Sequence, residues 1–217
     1  MTSTQMANDT RLVYDSAGLG RPAWAMTSPL LLEYYDTEWG MPVHEESALL
    51  ERLCLEGFQA GLSWELVLRK REAFRAAFVG FDADLLASFG EEEVERLMNN
   101  AGIIRNRLKI NAVLNNATAT VALRETGGLD EFIWSFLPAD TIAPESEEDI
   151  PKYTQEALDM SKALKKAGFK FVGPVTCFSL MTAIGMVDAH LVGSHRRGTS
   201  GIWPAQGPGG LTNSASR

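Results

Sequence analysis

The stretch Ala163–His190, ALKKAGFKFVGPVTCFSLMTAIGMVDAH, restricts the fold of this chain more than any other. A polar segment ends in Lys165-Lys166, Gly168 and Gly173 bracket a short turn, Pro174 follows, and an apolar run from Val175 to Ile184 stops at Gly185. Basic residues suit the negative C-terminal end of a helix. A glycine just beyond supplies the left-handed residue that stops it, and proline is preformed for the first turn of the next helix. The spacing predicts helix, glycine hairpin, helix. Backbone N–H groups between Phe169 and Val172, at the start of the second helix, are then placed to meet a phosphate, so Gly168, Lys170 and Gly173 are candidate contacts to a DNA backbone. An ordinary corner between two core helices would show the same spacing.

The rest of the chain is also patterned for helices. In Glu46–Glu56 the residues Leu49, Leu50, Leu53 and Cys54 form one stripe, and in Ser63–Phe78 Leu66, Leu68, Phe74 and Phe78 recur between basic residues. Asp82 and Asp84 are placed to cap a short helix over Leu85-Leu86, and Glu91–Glu93 load the first turn of the next. Asn106–Arg124 reads as a longer helix ended by Gly127-Gly128, and Leu129–Leu137 as a short one closed by Pro138. Ala139–Tyr153, rich in acids and containing Pro144 and Pro151, reads as a loop crossing between two lobes. No stretch alternates long enough to predict a strand. The expected class is all-α, a two-lobed helical domain over residues 21–197. Flexible ends are expected at 1–20 and at the Gly/Ser/Pro-rich 198–217.

Composition narrows the context. A chain of 217 residues with 45% hydrophobic content can fill a core of its own. The two cysteines, Cys54 and Cys177, are too few for a disulfide framework. No apolar run approaches the roughly 20 residues that span a bilayer, and the N-terminus has no secretory pattern, so a cytoplasmic monomer without a membrane partner is expected. A net charge of −8 opposes a broad DNA footprint, because non-specific affinity comes from neutralising phosphates. The acids, however, crowd into Asp82–Glu95 and Glu145–Asp149. Bases collect around Arg69–Arg75, Arg105–Lys109, Lys162–Lys170 and Arg196-Arg197, which leaves room for a local basic face.

A second unusual region carries the candidate chemistry. Trp24, Tyr34, Tyr35, Trp39 and Trp64 fall in the first third of the chain, close to one acid in an apolar context, Glu56. Aromatic clusters commonly serve as core, but flat rings with one polar handle each are also what an extruded base needs, with a carboxylate to hydrogen-bond its edge. Glu56 precedes Gly57, where the backbone is expected to turn; the plain alternative is a solvent-facing acid at a helix end.

Several motifs in order then resemble the type I 3-methyladenine DNA glycosylases. They are Tyr34-Tyr35-Asp36-Thr37-Glu38-Trp39-Gly40, the run from Leu55 to Trp64, Arg71-Glu72-Ala73-Phe74-Arg75, the run from Asn100 to Arg107, Trp134-Ser135-Phe136 and Ser161–Lys166, while Val187-Asp188-Ala189-His190 resembles the segment that follows the hairpin in many helix-hairpin-helix DNA glycosylases. The resemblance covers nearly all of 21–193. It implies a helix-hairpin-helix enzyme that flips alkylated adenine out of double-stranded DNA and hydrolyses its N-glycosidic bond without a cofactor. On matching positions Trp64 would stack on the base, Glu56 and Tyr34 would hydrogen-bond it, Trp24 and Trp39 would line the pocket, and Gly61-Leu62 would fill the gap in the duplex. The alternative from another class is a helix-hairpin-helix module that binds damaged or distorted DNA without catalysis; a blander one is a small-ligand binder with an aromatic pocket.

Two features depart from the family's pattern. Its zinc-binding positions, two Cys and two His, correspond here to Pro22, Tyr35, His190 and Ser194, and one ligand cannot close a tetrahedral site, so no metal is expected. Asp188 stands where the wider superfamily carries a catalytic Asp. It reads either as an active-site carboxylate or as a helix N-cap.

Overall fold

The computed structural model describes residues 11–204, and its backbone falls into two compact units. The chain outside those bounds includes parts of both expected flexible ends, which lie outside the described residues. Of the described residues, one unit comprises those through Pro42, the segment Ala139–Pro151 and those from Thr182; the other comprises Val43–Pro138 and Lys152–Met181.

The first unit begins with strands the sequence did not predict. β1 (Leu12–Tyr14) pairs antiparallel with β2 (Gly20–Pro22), matching Val13 with Arg21. Each is three residues long, too short for period-two alternation to show in sequence. Ordered structure therefore starts before residue 21. The connection is fixed by Asp15, whose Oδ1 accepts from the amides of Ala17 and Leu19. Arg21 lies buried between two acids, donating to Asp15 at 2.7 Å and through both arms of its fork to Asp36 at 2.8 Å. Such bidentate pairing compensates a buried guanidinium and raises its pKa. α1 (Pro29–Thr37) starts where Ser28 Oγ accepts from the Leu31 amide, with proline in its first turn. Segment 139–151 forms no α-helix and is pinned by its carbonyls: Val192 donates to Pro144, and Arg197 to Ile142.

The second unit is helical throughout: α2 (Glu46–Gln59), α3 (Trp64–Arg69), α4 (Arg71–Ala77), α5 (Ala83–Ala87), α6 (Glu91–Met98), α7 (Arg107–Leu123), α8 (Gly128–Trp134), α9 (Gln155–Lys166) and α10 (Pro174–Ala183), the last as far as Met181. Side-chain caps at Ser63, Asp82, Asn106 and Thr154 start α3, α5, α7 and α9. α7 packs on α2, α5, α6 and α8, and a run of rings, Phe58, Phe74, Phe78 and Phe81, fills the core beside α2.

Two expected boundaries moved. The single helix expected over Ser63–Phe78 is two, broken at Lys70 (φ −94°, ψ 0°), whose ammonium turns away to cap the carbonyls of Ala101 and Gly102. Conversely, the backbone does not turn at Glu56-Gly57, because α2 continues to Gln59. Gly57 faces the hairpin, and a Cβ there would make ordinary contact with Cβ of Phe171 at 3.5 Å.

Candidate active site and nucleic-acid interface

In the second unit, Glu56 lies in the last turns of α2 and is 7% exposed. Desolvation pushes its carboxyl up to about 8, with the Arg52 charge one turn earlier pulling weakly the other way. It is therefore an acid near a helix end that does not face solvent. At neutral pH and without a ligand it is mostly protonated, able to donate one hydrogen bond and accept another. α2 ends at Ala60, Gly61 takes a left-handed φ of +83°, and Leu62 stands out with 38% of its surface exposed. Ser63 then caps α3, whose first residue is Trp64, and α2 and α3 pack together. Trp64, Gly61, Leu62 and Glu56 thus belong to one helix-loop-helix segment.

The hairpin forms where the sequence predicts it. α9 ends in Lys165-Lys166, Gly168 takes φ +97°, and Pro174 opens α10. Its backbone is held by residues the sequence reading missed. Asn116 of α7 accepts from the Lys170 amide at 2.7 Å and donates to the Lys170 carbonyl at 3.1 Å. Asn115 donates to Gly168 O at 2.6 Å, and Ser161 of α9 to Val172 O at 2.6 Å. This bracing sustains Phe171 at φ +56°, a left-handed conformation unusual for a bulky residue, with its ring 42% exposed. The expectation that all amides from Phe169 to Val172 face outward is corrected: Phe169 donates to Leu164 O and Lys170 to Asn116. The amides of Phe171, Val172 and Gly173 have no acceptor among the described residues. A Cβ on Gly173 would meet open space. Periodicity could not single out Asn115, Asn116 or Ser161, because a polar residue on a helix face signals a partner without naming it.

The first unit gathers the remaining aromatics. Tyr35 and Trp39 stack at 5.7 Å, and Trp24 meets both edge-on at 5.4 and 5.6 Å. Tyr34, 4% exposed on α1, accepts at its carbonyl from the amides of Glu38 and Trp39, which turns the chain out of the helix and fixes Trp39. His190 packs edge-on against Trp39 at 4.7 Å and Tyr35 at 5.3 Å. It also fills the space over Gly40, where a Cβ would overlap its ring.

Asp188 caps no helix. Its Oδ1 accepts from the His190 amide (3.1 Å) and from His190 Nδ1 (2.7 Å), and its Oδ2 accepts from the Gly198 amide (2.8 Å). Burial opposes ionisation of this acid, but the His190 and Gly198 hydrogen bonds and the Arg197 charge outweigh it and hold the carboxyl below the usual range. The N-cap reading fails because the chain from Met186 to His190 forms no helix.

The positions matching the family's zinc ligands are close-packed in another way: Tyr35 Oη and Ser194 Oγ share a 2.6 Å hydrogen bond, and the Tyr35 phenol pKa is raised, chiefly by burial. A phenol, an alcohol and a proline leave His190 as the one ordinary zinc ligand of the four, and one ligand cannot close a tetrahedral site. His195, near the same segment, is committed to Asp36 and the Gly20 carbonyl. Among the described residues, no three His, Cys, Asp or Glu side chains converge as metal ligands.

A glycine hairpin joins α9 to α10 and is braced by Asn115 and Asn116 of α7, while the exposed Leu62 stands in the loop between α2 and α3. A family model of methyladenine glycosylases matches residues 24–197, and the chain belongs to that family. It is 48% identical over 177 residues to DNA-3-methyladenine glycosylase 1 of Escherichia coli (strain K12), covering 80% of this chain and 94% of the relative. A crystal structure of a 3-methyladenine DNA glycosylase I superposes with a TM-score of 0.77 at 44% identity, over 81% of this chain and 98% of the other. A variant of such an enzyme in complex with 3-methyladenine superposes at 0.74 and 35% identity, over 78% and 92%. No helix among the described residues is long and apolar enough to cross a membrane.

Proposed function

We propose that the protein is a base-excision repair glycosylase that flips 3-methyladenine out of alkylated double-stranded DNA and hydrolyses its N-glycosidic bond. The reading rests on family membership, on relatives that carry this name, and above all on Glu56, a buried carboxyl whose pKa is raised to about 8. Trp64 stacks on the extruded base, Glu56 and Tyr34 hydrogen-bond it, and Trp24 and Trp39 form the wall. Leu62, on the left-handed Gly61, occupies the gap in the duplex, and Gly168, Lys170 and Gly173 contact the backbone. The enzyme acts as a monomer in the cytoplasm.

Methylation of the adenine ring weakens the glycosidic bond, so extrusion into a π-rich slot with one acidic group suffices. A cationic base in a water-poor site favours the ionised carboxyl, so lesion binding draws the proton off Glu56 and leaves an ion pair, whereas ordinary adenine finds only a neutral acid. The C1′–N bond then breaks with its electron pair leaving on the base. The Glu56 carboxylate stabilises the positive charge on the oxocarbenium, and as water adds to that carbon the carboxylate takes up the proton the water loses. Asp188 has both oxygens engaged by His190 and Gly198, which favours a positioning role, setting His190 against Trp39, over direct contact with the sugar.

The test is incubation with duplex DNA methylated at adenine, identifying the released base by chromatography and counting abasic sites by alkali cleavage. Release of 3-methyladenine with stoichiometric abasic sites is expected. Tight retention of methylated duplex without release would instead establish the non-catalytic module.

A further inference from the structure

One buried cation has no part in the roles assigned above. Lys109, in the first turn of α7, is 8% exposed and has no ion-pair partner among the described residues. Its Nζ donates to two carbonyls at the end of α2, Phe58 O and Ala60 O, each at 2.9 Å. Desolvation lowers its pKa, so the ammonium is held in place against a burial cost. The last carbonyls of a helix lack intrahelical donors and form the negative end of its dipole, which explains a cation there. The choice of carbonyls is more specific than that. Ala60 (φ −49°, ψ 111°) is the residue at which the chain leaves α2, and its carbonyl begins the peptide that leads into Gly61 and the exposed Leu62. Leu62 is tied back by its amide to Gln59 O. Without Lys109 the Ala60 peptide could rotate, because the next residue is a glycine.

From this we infer that Lys109 is a positioning residue for DNA engagement: by clamping the Phe58 and Ala60 carbonyls it fixes the direction in which Gly61-Leu62 is presented to the duplex. It touches neither base nor phosphate. The inference rests on the proposed insertion of Leu62. A buried ammonium whose reach is spent on carbonyls acts only through the loop, and this separates it from the surface lysines, which act on phosphate charge.

The test uses Lys109→Met, Lys109→Arg, Leu62→Ala and the Lys109→Met/Leu62→Ala double variant. Affinity for a duplex bearing a stable abasic-site analogue, single-turnover excision and binding of free 3-methyladenine are measured in parallel. Misplacing a reacting or inserting group by about an ångström costs up to about a hundredfold, so Lys109→Met is expected to weaken duplex affinity and excision by about ten- to a hundredfold. Free-base binding should stay within about twofold of wild type, Lys109→Arg should recover most of the loss, and the double variant should be no worse than Leu62→Ala alone. The salt dependence of duplex binding should keep its slope, whereas a lost phosphate contact would reduce it by about one. Unchanged duplex affinity in folded Lys109→Met, multiplicative losses in the double variant, or a reduced salt slope would overturn the assignment. Leu62→Ala binding like wild type would overturn the insertion reading and this inference with it; a weak Leu62→Ala beside a normal Lys109→Met removes this inference alone. Should Lys109→Met not fold, Lys109→Gln, which retains a donor, is judged by the same outcomes.

Discussion

Replacing Glu56 by glutamine should make the protein more stable and less active, and the stability gain should grow with pH in a way set by burial. The glutamate carboxyl titrates at about 8 in the folded chain and near the ordinary 4.5 when unfolded. A carboxyl with a raised folded pKa favours the native state fully below the unfolded pKa, and that contribution is lost as pH rises towards the folded one. At pH 7 the native chain keeps a proton that the unfolded chain releases, a gap of about 2.5 pH units, or about 3 kcal/mol at roughly 1.4 kcal/mol per unit. Above pH 8 the difference levels off near 5 kcal/mol. Glutamine has nearly the shape of the protonated acid and does not titrate. The two proteins should therefore be equally stable near pH 4.5 and diverge steadily to pH 8, with a melting-point gap of about 6–12 °C at pH 7. Urea unfolding at several pH values, followed by tryptophan fluorescence, reads this directly. A stability difference that stays constant, within about 0.5 kcal/mol, from pH 5 to pH 8 would mean that Glu56 remains solvated, and the electrostatic account of lesion selectivity would go with it. Excision should fall in the same variant, because the glutamine amide cannot become the anion that the cationic base in DNA selects, and binding of free 3-methyladenine, which is neutral, should fall through the loss of the carboxyl's hydrogen bond.

Asp188→Asn removes a buried carboxylate that accepts hydrogen bonds from His190 and Gly198 and should destabilise by about 1–3 kcal/mol, while single-turnover excision below its melting transition stays within a few-fold of wild type; a loss of a hundredfold or more in a folded variant would return Asp188 to the catalytic step. Gly173→Val places a branched side chain in open space beside unpaired amides, so duplex affinity should drop while the melting point moves by less than about 1 kcal/mol equivalent; equal affinity would take the hairpin out of the DNA interface. Chelators should leave the melting point unchanged and elemental analysis should find no stoichiometric zinc, since a Tyr35–Ser194 hydrogen bond stands at two of the expected ligand positions; about one zinc per chain would refute this.

The sequence by itself determined the helical class and the hairpin with its two helices, because each is written in local code. Capping residues, a left-handed glycine, a proline at a first turn and a 3.6-residue period act over a few neighbours. It also carried the replacement of zinc-binding side chains by Pro22, Tyr35 and Ser194 at three of the four matching positions. Tertiary structure alone decided what those residues experience. Glu56 has a displaced pKa because α2 runs on past it and its surroundings are dry, and nothing in Leu-Glu-Gly-Phe distinguishes that from a solvent-facing helix end. Asp188 looked equally suited to capping or catalysis until its partners appeared 2 and 10 residues further on, at His190 and Gly198. Lys109, Asn115 and Asn116 read as the polar face of an amphipathic helix. Their partners lie 49 to 54 residues away, and pairings at that separation are fixed by the packing of α7 against its neighbours, which no local pattern encodes.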